Sequence, residues 1–374
     1  MSSIMAQIKK MGLAIFCLLI LFFSHGNLWA DSIHIDSKAA ILIDQTTGKV
    51  LFEKNCREKL PIASTTKILT SIIGLELADL QEEITVSNYV ASIGEASIDL
   101  LEGERINLQN LLLGTMLNSG NDAAVAIAEL VAGSEEDFIN IMNKKAKLIG
   151  AYNSNFANPN GLPGMDHYAT AHDLALIARY AMENSVLKEI VRIKTATIPY
   201  GDKGWTRYLK NTNKLLWKYS EATGIKTGTT DAAGPCLVAS AERNGTKLIA
   251  VVLNSKDRFG ESQKLLKWGL DNYQTVTRYN KGEYITALII PGAEPEILGV
   301  KARETLIFSM KNGENVTEEI TWNELKLPIA PGDSLGEIIS WVGSEQYMVE
   351  LVAANSMRQK TFWEKLWIKR NNFE

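Results

Sequence analysis

The sequence predicts an α+β protein: a mixed helix-and-strand domain, then a small all-β domain, then an amphipathic C-terminal helix. Three observations lead there. At 374 residues the chain exceeds the size at which a single hydrophobic core stops growing, so two domains are the default. Strand-like segments flank a long run of helical periodicity up to about residue 182, and beyond about Asn280 that periodicity gives way to short strand candidates. The last twenty residues gather aromatic and basic side chains in a way that neither preceding region does.

Taken in order, the first segment is an address. Lys9 and Lys10 precede an apolar run over 11–23, and small or polar residues follow up to Ala30. This is the charged, apolar and small-residue succession of a secretory signal. The run falls short of the ~20 residues that a membrane-spanning helix needs. Residues 1–30 are therefore expected to be an export signal, with an uncleaved N-terminal anchor as the competing reading, and 31–278 the mixed helix-and-strand domain.

Residues 39–44 (AAILID) read as a strand, Thr46-Thr47-Gly48-Lys49 as a turn and Val50-Leu51-Phe52 as its return. Pro61 precedes a helix expected to start near Ser64, whose buried face carries Ile68, Leu69, Ile72, Ile73 and Leu75. Further helices are expected over 108–116, 122–131, 135–148 (stopped by Gly150) and 171–182. Strands follow over 225–230, 236–242 and 246–254, the last two joined by Asn244-Gly245, a strong hairpin signal. A small β-rich domain is expected over 279–353, with strands at 284–290, 305–310, 318–322 and 348–352 and turns at Asn312-Gly313 and Pro331-Gly332-Asp333.

Residues 354–374 carry Met357, Phe362, Trp363, Leu366, Trp367 and Phe373 at roughly helical spacing, beside Arg358, Lys360, Lys365, Lys369 and Arg370. A basic, Trp-bearing amphipathic helix lies in the plane of a membrane surface. The competing reading is a helix docked on its own protein.

Composition narrows the function. With 46% hydrophobic and 22% charged residues and a net charge of −4, the chain is an ordinary folded protein without the basic stripe or aromatic-basic repeat of a nucleic-acid binder. Cys56 and Cys236 form no disulfide framework and are expected to be free thiols, although a bridge between them stays open. There is no His-Glu-x-x-His and no cysteine-rich ligand set, so neither a metal nor another cofactor is expected. No Gly-x-Ser-x-Gly elbow marks a histidine-assisted serine nucleophile, and His172, at a helix start, suits capping or packing.

Serine can be activated without histidine if a lysine loses its proton. Ser64-Thr65-Thr66-Lys67 places the two groups at i and i+3 of a helix start, on one face. Burial and neighbouring positive charge lower a lysine's pKa, so its neutral amine can act as base. The helix N-terminus adds a backbone N–H and a positive dipole end for an oxyanion. The pattern alone is weak, since Ser185-Val186-Leu187-Lys188 matches it too. Two further motifs add weight. Ser119-Gly120-Asn121 offers a hydroxyl for proton relay and an amide to hold substrate or Lys67. Lys226-Thr227-Gly228, on a strand, offers an ammonium, a hydroxyl for a carboxylate and a glycine that permits edge-on approach.

These three motifs, with Leu60-Pro61-Ile62-Ala63 before the first and Thr229-Thr230-Asp231-Ala232-Ala233-Gly234 after the last, resemble the serine D-Ala-D-Ala carboxypeptidases among the low-molecular-mass penicillin-binding proteins. Asn158-Pro159-Asn160-Gly161-Leu162, residues 237–241 (LVASA) and Lys267-Trp268-Gly269 extend the likeness, which covers about 35–275. The resemblance implies a β-lactamase/transpeptidase-like domain, with an antiparallel sheet between helical layers, carried on a β-rich stalk at the outer face of the membrane. It implies Ser64 as nucleophile, Lys67 as base, Ser119 as proton relay and Asn121, Lys226, Thr227, Gly228 and Thr229 as substrate-binding residues. The backbone N–H groups of Ser64 and Thr229 would form the oxyanion hole. The implied partners are peptidoglycan stem peptides ending in D-Ala-D-Ala, and β-lactams as covalent inhibitors. One departure stands out. The strand on which relatives often place a carboxylate-binding arginine reads Val251-Val252-Leu253-Asn254-Ser255-Lys256, which leaves Lys256 or Arg258 for that role.

A β-lactamase shares the three motifs, but no Glu-x-x-Leu-Asn segment lies between Asn121 and Lys226 to activate a deacylating water. A wall-binding protein without activity is the remaining rival. The presence of every catalytic position argues against it.

Overall fold

Strand β1 (Ala39–Asp44) is buried along its whole length, which requires cover on both faces. Ile41 and Ile43 point into the main hydrophobic core with Ile249, Val251, Leu174 and Ile177. On the opposite side, Leu42 approaches Gly269 so closely that a Cβ there would lie 2.7 Å from the Leu42 side chain. The continuous apolar run of β1 thus fits a sheet enclosed between helices.

A computed structural model describes residues 33–94, 96–201 and 204–364. The expected export signal and residues 365–374 of the expected terminal helix lie outside the described residues. The central sheet is completed by β2 (Val50–Lys54), β3 (Ala222–Thr230), β4 (Gly234–Arg243) and β5 (Thr246–Leu253). Its order is β2-β1-β5-β4-β3, antiparallel throughout. Strand β1 therefore closes on β5, with Ala39 opposite Leu253, while β3 is an edge. The β4–β5 turn has Asn244 and Gly245 at φ +51° and +83°, the paired positive values of a type I′ hairpin.

In chain order between β2 and β3 come helices α1 (Lys67–Leu77), α2 (Leu108–Leu113), α3 (Asn121–Ala132), α4 (Glu135–Ile149), α5 (Ala171–Ala181) and α6 (Ser185–Arg192), and α7 (Arg258–Asn272) follows β5. Caps set their limits. Ser134 accepts from the Asp137 N–H at the start of α4, and Gly150 ends it at φ +94°. Helix α2 is shorter than the sequence predicts. At Gly114 a Cβ would lie 2.6 Å from Ile98 Cδ1, and there the chain loosens into a π turn, Gly114–Asn118, that ends in left-handed Ser119.

From Tyr273 onward the chain is β-rich. Tyr273–Tyr279 pairs with Leu306–Lys311. A five-stranded antiparallel sheet runs in the order Tyr284–Ile289, Ile297–Ala302, Glu345–Ala353, Ser334–Val342, Val316–Trp322. Leu298, Val300, Phe308, Leu335, Ile338 and Leu351 form its own core. The β1–β2 turn is tied to this region by Lys49 Nζ, 2.8 Å from Glu345, and by Thr47 Oγ1, 2.8 Å from Ser309 Oγ.

The start of the expected terminal helix needs correction. Arg358–Gln359 pairs as a strand with Ala293–Glu294, and Met357, expected on the membrane-facing side, is buried in the second core. Helical structure begins only at Phe362, where Phe362 and Trp363 are exposed. Among the described residues no helix is long and apolar enough to cross a membrane. Cys56 and Cys236 are free and buried. Burial pushes both thiols up to about 11.

Candidate active site

A 3-10 turn, Ala63–Thr66, runs directly into α1 at Lys67. Residues at i and i+3 eclipse one another in such a turn, so Ser64 and Lys67 lie on one side, with Nζ 2.9 Å from Oγ. The turn begins at Ala63 with φ +50°, a left-handed conformation that costs a non-glycine residue on the order of 1–3 kcal/mol. A neighbouring glycine supports it. At Gly161, φ +86°, a Cβ would fall 2.0 Å from the Ala63 carbonyl oxygen and 2.9 Å from the Ser64 nitrogen. Only a residue without a side chain lets the 158–162 loop come so near.

Lys67 is fully buried. Besides Ser64, its Nζ meets Asn121 Oδ1 at 2.6 Å and the Asn160 carbonyl at 2.5 Å. The Asn121 amide nitrogen donates to the Gly94 carbonyl at 3.3 Å, which keeps Oδ1 turned toward the lysine. Burial holds Lys67 well below the usual lysine range, and the charge of Lys226 adds to this while Asp122 opposes it. A neutral amine in this position gives its two hydrogens to the two carbonyl-type acceptors. Its lone pair then faces the Ser64 hydroxyl.

Edge strand β3 brings the third motif. At Gly228 a Cβ would lie 2.9 Å from the Ile62 carbonyl oxygen and 3.0 Å from the Ser64 nitrogen, so glycine allows the strand to lie against the Ser64 turn. Lys226 is buried, and among the described residues its Nζ has no hydrogen-bond partner. Burial, with the Arg258 charge beside it, pulls Lys226 down to about 7. Thr227 Oγ1 is 2.6 Å from Thr212 Oγ1. Thr229 is exposed at the strand's end. Ser119 caps the π turn two residues before Asn121, in a left-handed conformation and nearly buried. Among the described residues, no three of His, Cys, Asp and Glu gather as a metal site.

The family model described as D-alanyl-D-alanine carboxypeptidase matches residues 27–257. The chain belongs to this family. Among its relatives, D-alanyl-D-alanine carboxypeptidase DacF of Bacillus subtilis is 33% identical over 87% of this chain and 86% of that protein. DacC of Escherichia coli is 33% identical over 89% and 87%. Among solved structures, penicillin binding protein 5 from Haemophilus influenzae superposes with a TM-score of 0.75 at 27% identity, covering 87% of this chain and 99% of that one. The D-alanyl-D-alanine carboxypeptidase DacD from Francisella tularensis gives 0.68 at 31% identity, covering 88% and 95%.

This D-alanyl-D-alanine carboxypeptidase family member also holds residues at the site that motif reading left open or missed. Arg258, the first residue of α7, donates to the Gly228 carbonyl at 2.7 Å and to Thr229 Oγ1 at 2.6 Å. Of the two candidates for a carboxylate partner, it is the one joined to the Lys-Thr-Gly strand. Asn160 acts through its main-chain carbonyl, which no side-chain pattern reveals. His167, nearly buried, stands behind the Ser64 turn. Its Nδ1 accepts from the Ala157 N–H at 3.0 Å, so Nε2 carries the proton toward Thr66 Oγ1, 2.8 Å away. Thr66 in turn donates to the Ala63 carbonyl at 2.9 Å. Burial, with Lys67 nearby, lowers His167 to about 4. The rival serine, Ser185, is exposed on the first turn of α6. At α5 the cap is Thr170, which accepts from the Asp173 N–H at 3.0 Å, and His172 lies beside Asp173 at 3.4 Å.

Proposed function

We propose that this chain removes the terminal D-alanine from peptidoglycan stem peptides through an acyl-enzyme on Ser64. The observation that carries this reading is the buried Lys67 amine held between Ser64 and two carbonyl acceptors, with the Lys-Thr-Gly edge strand against the same turn. Ser64 Oγ attacks the carbonyl of the penultimate D-alanine as Lys67 takes its proton, a step in which a positioned base contributes roughly 10²–10⁴-fold. The N–H groups of Ser64 and Thr229 receive the developing oxyanion, each such donor being worth about 10²–10³-fold. Asn121 holds Lys67 and the substrate backbone. Thr227 and Arg258 bind the terminal carboxylate, and Lys226 adds positive charge beside it. The leaving amine regains a proton by way of Lys67 and Ser119, and water then releases the shortened peptide. β-Lactams enter the same path and stop at the acyl stage.

Export by residues 1–30 places this activity outside the cytoplasmic membrane. The basic aromatic segment over 354–374 attaches the enzyme to the membrane surface, a role supported by the exposure of Phe362 and Trp363.

The deciding experiment is mass spectrometry of the purified protein after incubation with penicillin, combined with an assay for D-alanine release. A covalent adduct on Ser64 and release of D-alanine from a D-Ala-D-Ala peptide are expected. An adduct on another residue, or a folded protein that releases no D-alanine, overturns the assignment.

A further inference from the structure

Beside the edge of β3 opens a cavity of about 560 Å³ whose walls include Lys210, Thr212, Lys214, Trp217, Lys218 and Arg258. It adjoins the site through two of these. Thr212 Oγ1 touches Thr227 Oγ1 at 2.6 Å, and Arg258 grips the Gly228 carbonyl and Thr229. The lining contains no acidic residue. In a chain of net charge −4, three ammonium groups and a guanidinium around one cavity run against the overall balance. Lys210 also lies 5.9 Å from the Trp217 ring, so cation and indole share one wall.

On the proposed reading, the carboxylate of the departing residue rests on Thr227 and Arg258. Whatever that residue carries beyond its α-carbon then extends into the cavity. A volume in the roughly 300–1,000 Å³ range accommodates a ligand far larger than one alanine, and its walls are set for negative charge. We propose that the cavity is a leaving-group subsite for a single D-residue larger than alanine that bears a second carboxylate on its side chain. The bond broken is the same D-alanyl C–N bond. The acyl half stays on Ser64, the amine departs with its proton, and water completes hydrolysis, so only the size and charge of the departing half change.

This inference rests on the carboxypeptidase reading, and the test separates the two. Acylated tripeptides ending in D-Ala-D-Ala, D-Ala-D-Glu, D-Ala-D-Gln and D-Ala-D-Lys are compared by kcat/KM at low salt. D-Glu is expected to leave at least about tenfold faster than D-Lys, with D-Gln between them, and the gap should narrow as salt screens the charges. The double variant Lys214→Glu, Lys218→Glu, altered at two exposed side chains, should invert the D-Glu to D-Lys ratio while cleaving D-Ala-D-Ala as wild type does. Cleavage of D-Ala-D-Ala with D-Glu and D-Lys equal, or a ratio that the double variant does not move, overturns the subsite alone. Failure to cleave any of the four overturns the carboxypeptidase reading and the subsite together.

Discussion

Lys67 Nζ lies 2.9 Å from Ser64 Oγ, and its two other polar neighbours, Asn121 Oδ1 and the Asn160 carbonyl, can only accept hydrogen bonds. The amine is thus oriented as well as close. Lys67→Ala should reduce the rate of penicillin acylation by at least ~10³-fold, since both the proposed base and its orientation are removed. Labelling at near wild-type rate in a stopped assay would take Lys67 out of the mechanism.

Lys226 is the second-largest influence that lowers Lys67, after burial. Replacing it by an uncharged residue of similar length, Lys226→Met, removes a positive neighbour. The protonated form of Lys67 is then less disfavoured, so its pKa rises. The acid limb of the acylation pH profile should move to higher pH, with a lower plateau from the lost substrate contact. An unshifted limb would show that burial alone tunes the base.

His167 titrates near 4 in the folded protein against an ordinary value of 6.5. Between those values the unfolded chain binds more protons than the native one, so stability rises with pH across that window and is lost as pH falls through it. The linked contribution is on the order of 3 kcal/mol. His167→Gln should flatten the pH dependence of unfolding between pH 4 and 6.5, measured by urea titration at several pH values. A difference curve between wild type and variant that does not vary with pH would remove His167 as the cause.

Gly161→Ala should destabilise the fold by about 2–5 kcal/mol, because its Cβ would meet the Ala63 carbonyl in a region of φ that alanine resists. Acylation should fall further than stability explains, since the collision is at the turn that carries Ser64. Thermal unfolding and penicillin labelling of the same sample separate the two effects.

Deleting 355–374 should cost some stability as well as membrane attachment, because Met357 belongs to the second core and Arg358–Gln359 pairs with Ala293–Glu294. A cut after Gln359 leaves these contacts in place. It should release the protein from sedimented membranes with D,D-carboxypeptidase activity intact. Continued co-sedimentation would place the attachment elsewhere.

Local signals made much of the fold readable. β1 is one apolar run, β4 and β5 are joined by a turn whose residues demand positive φ, and α4 carries both of its caps in sequence. Helix α7 was harder to see, because Gly260 and Gly269 interrupt it, and the glycine at 269 is there for the close approach of Leu42 and Leu248. In the β-rich region Gly299 and Gly336 likewise break the alternation of strands that nonetheless form. At the site, Ser64 and Lys67 reveal each other by spacing along one turn. Asn160, His167, Thr212 and Arg258 do not, since they reach the motifs across the fold and one of them does so only through its main chain.

The pairing of Ala39 with Leu253 carries a consequence for assembly. Strand β1 leaves the ribosome more than two hundred residues before β5, and until β5 arrives its inner neighbour is missing. Loop closure of that length is a slow event in folding. The partly made chain holds an apolar strand with an unpaired edge for all that time, the state most prone to stick to other chains. Ser64 and Lys67 are therefore synthesised early but framed late. A fragment ending before residue 246 would contain all three motifs and still lack the strand that joins the two halves of the sheet behind them.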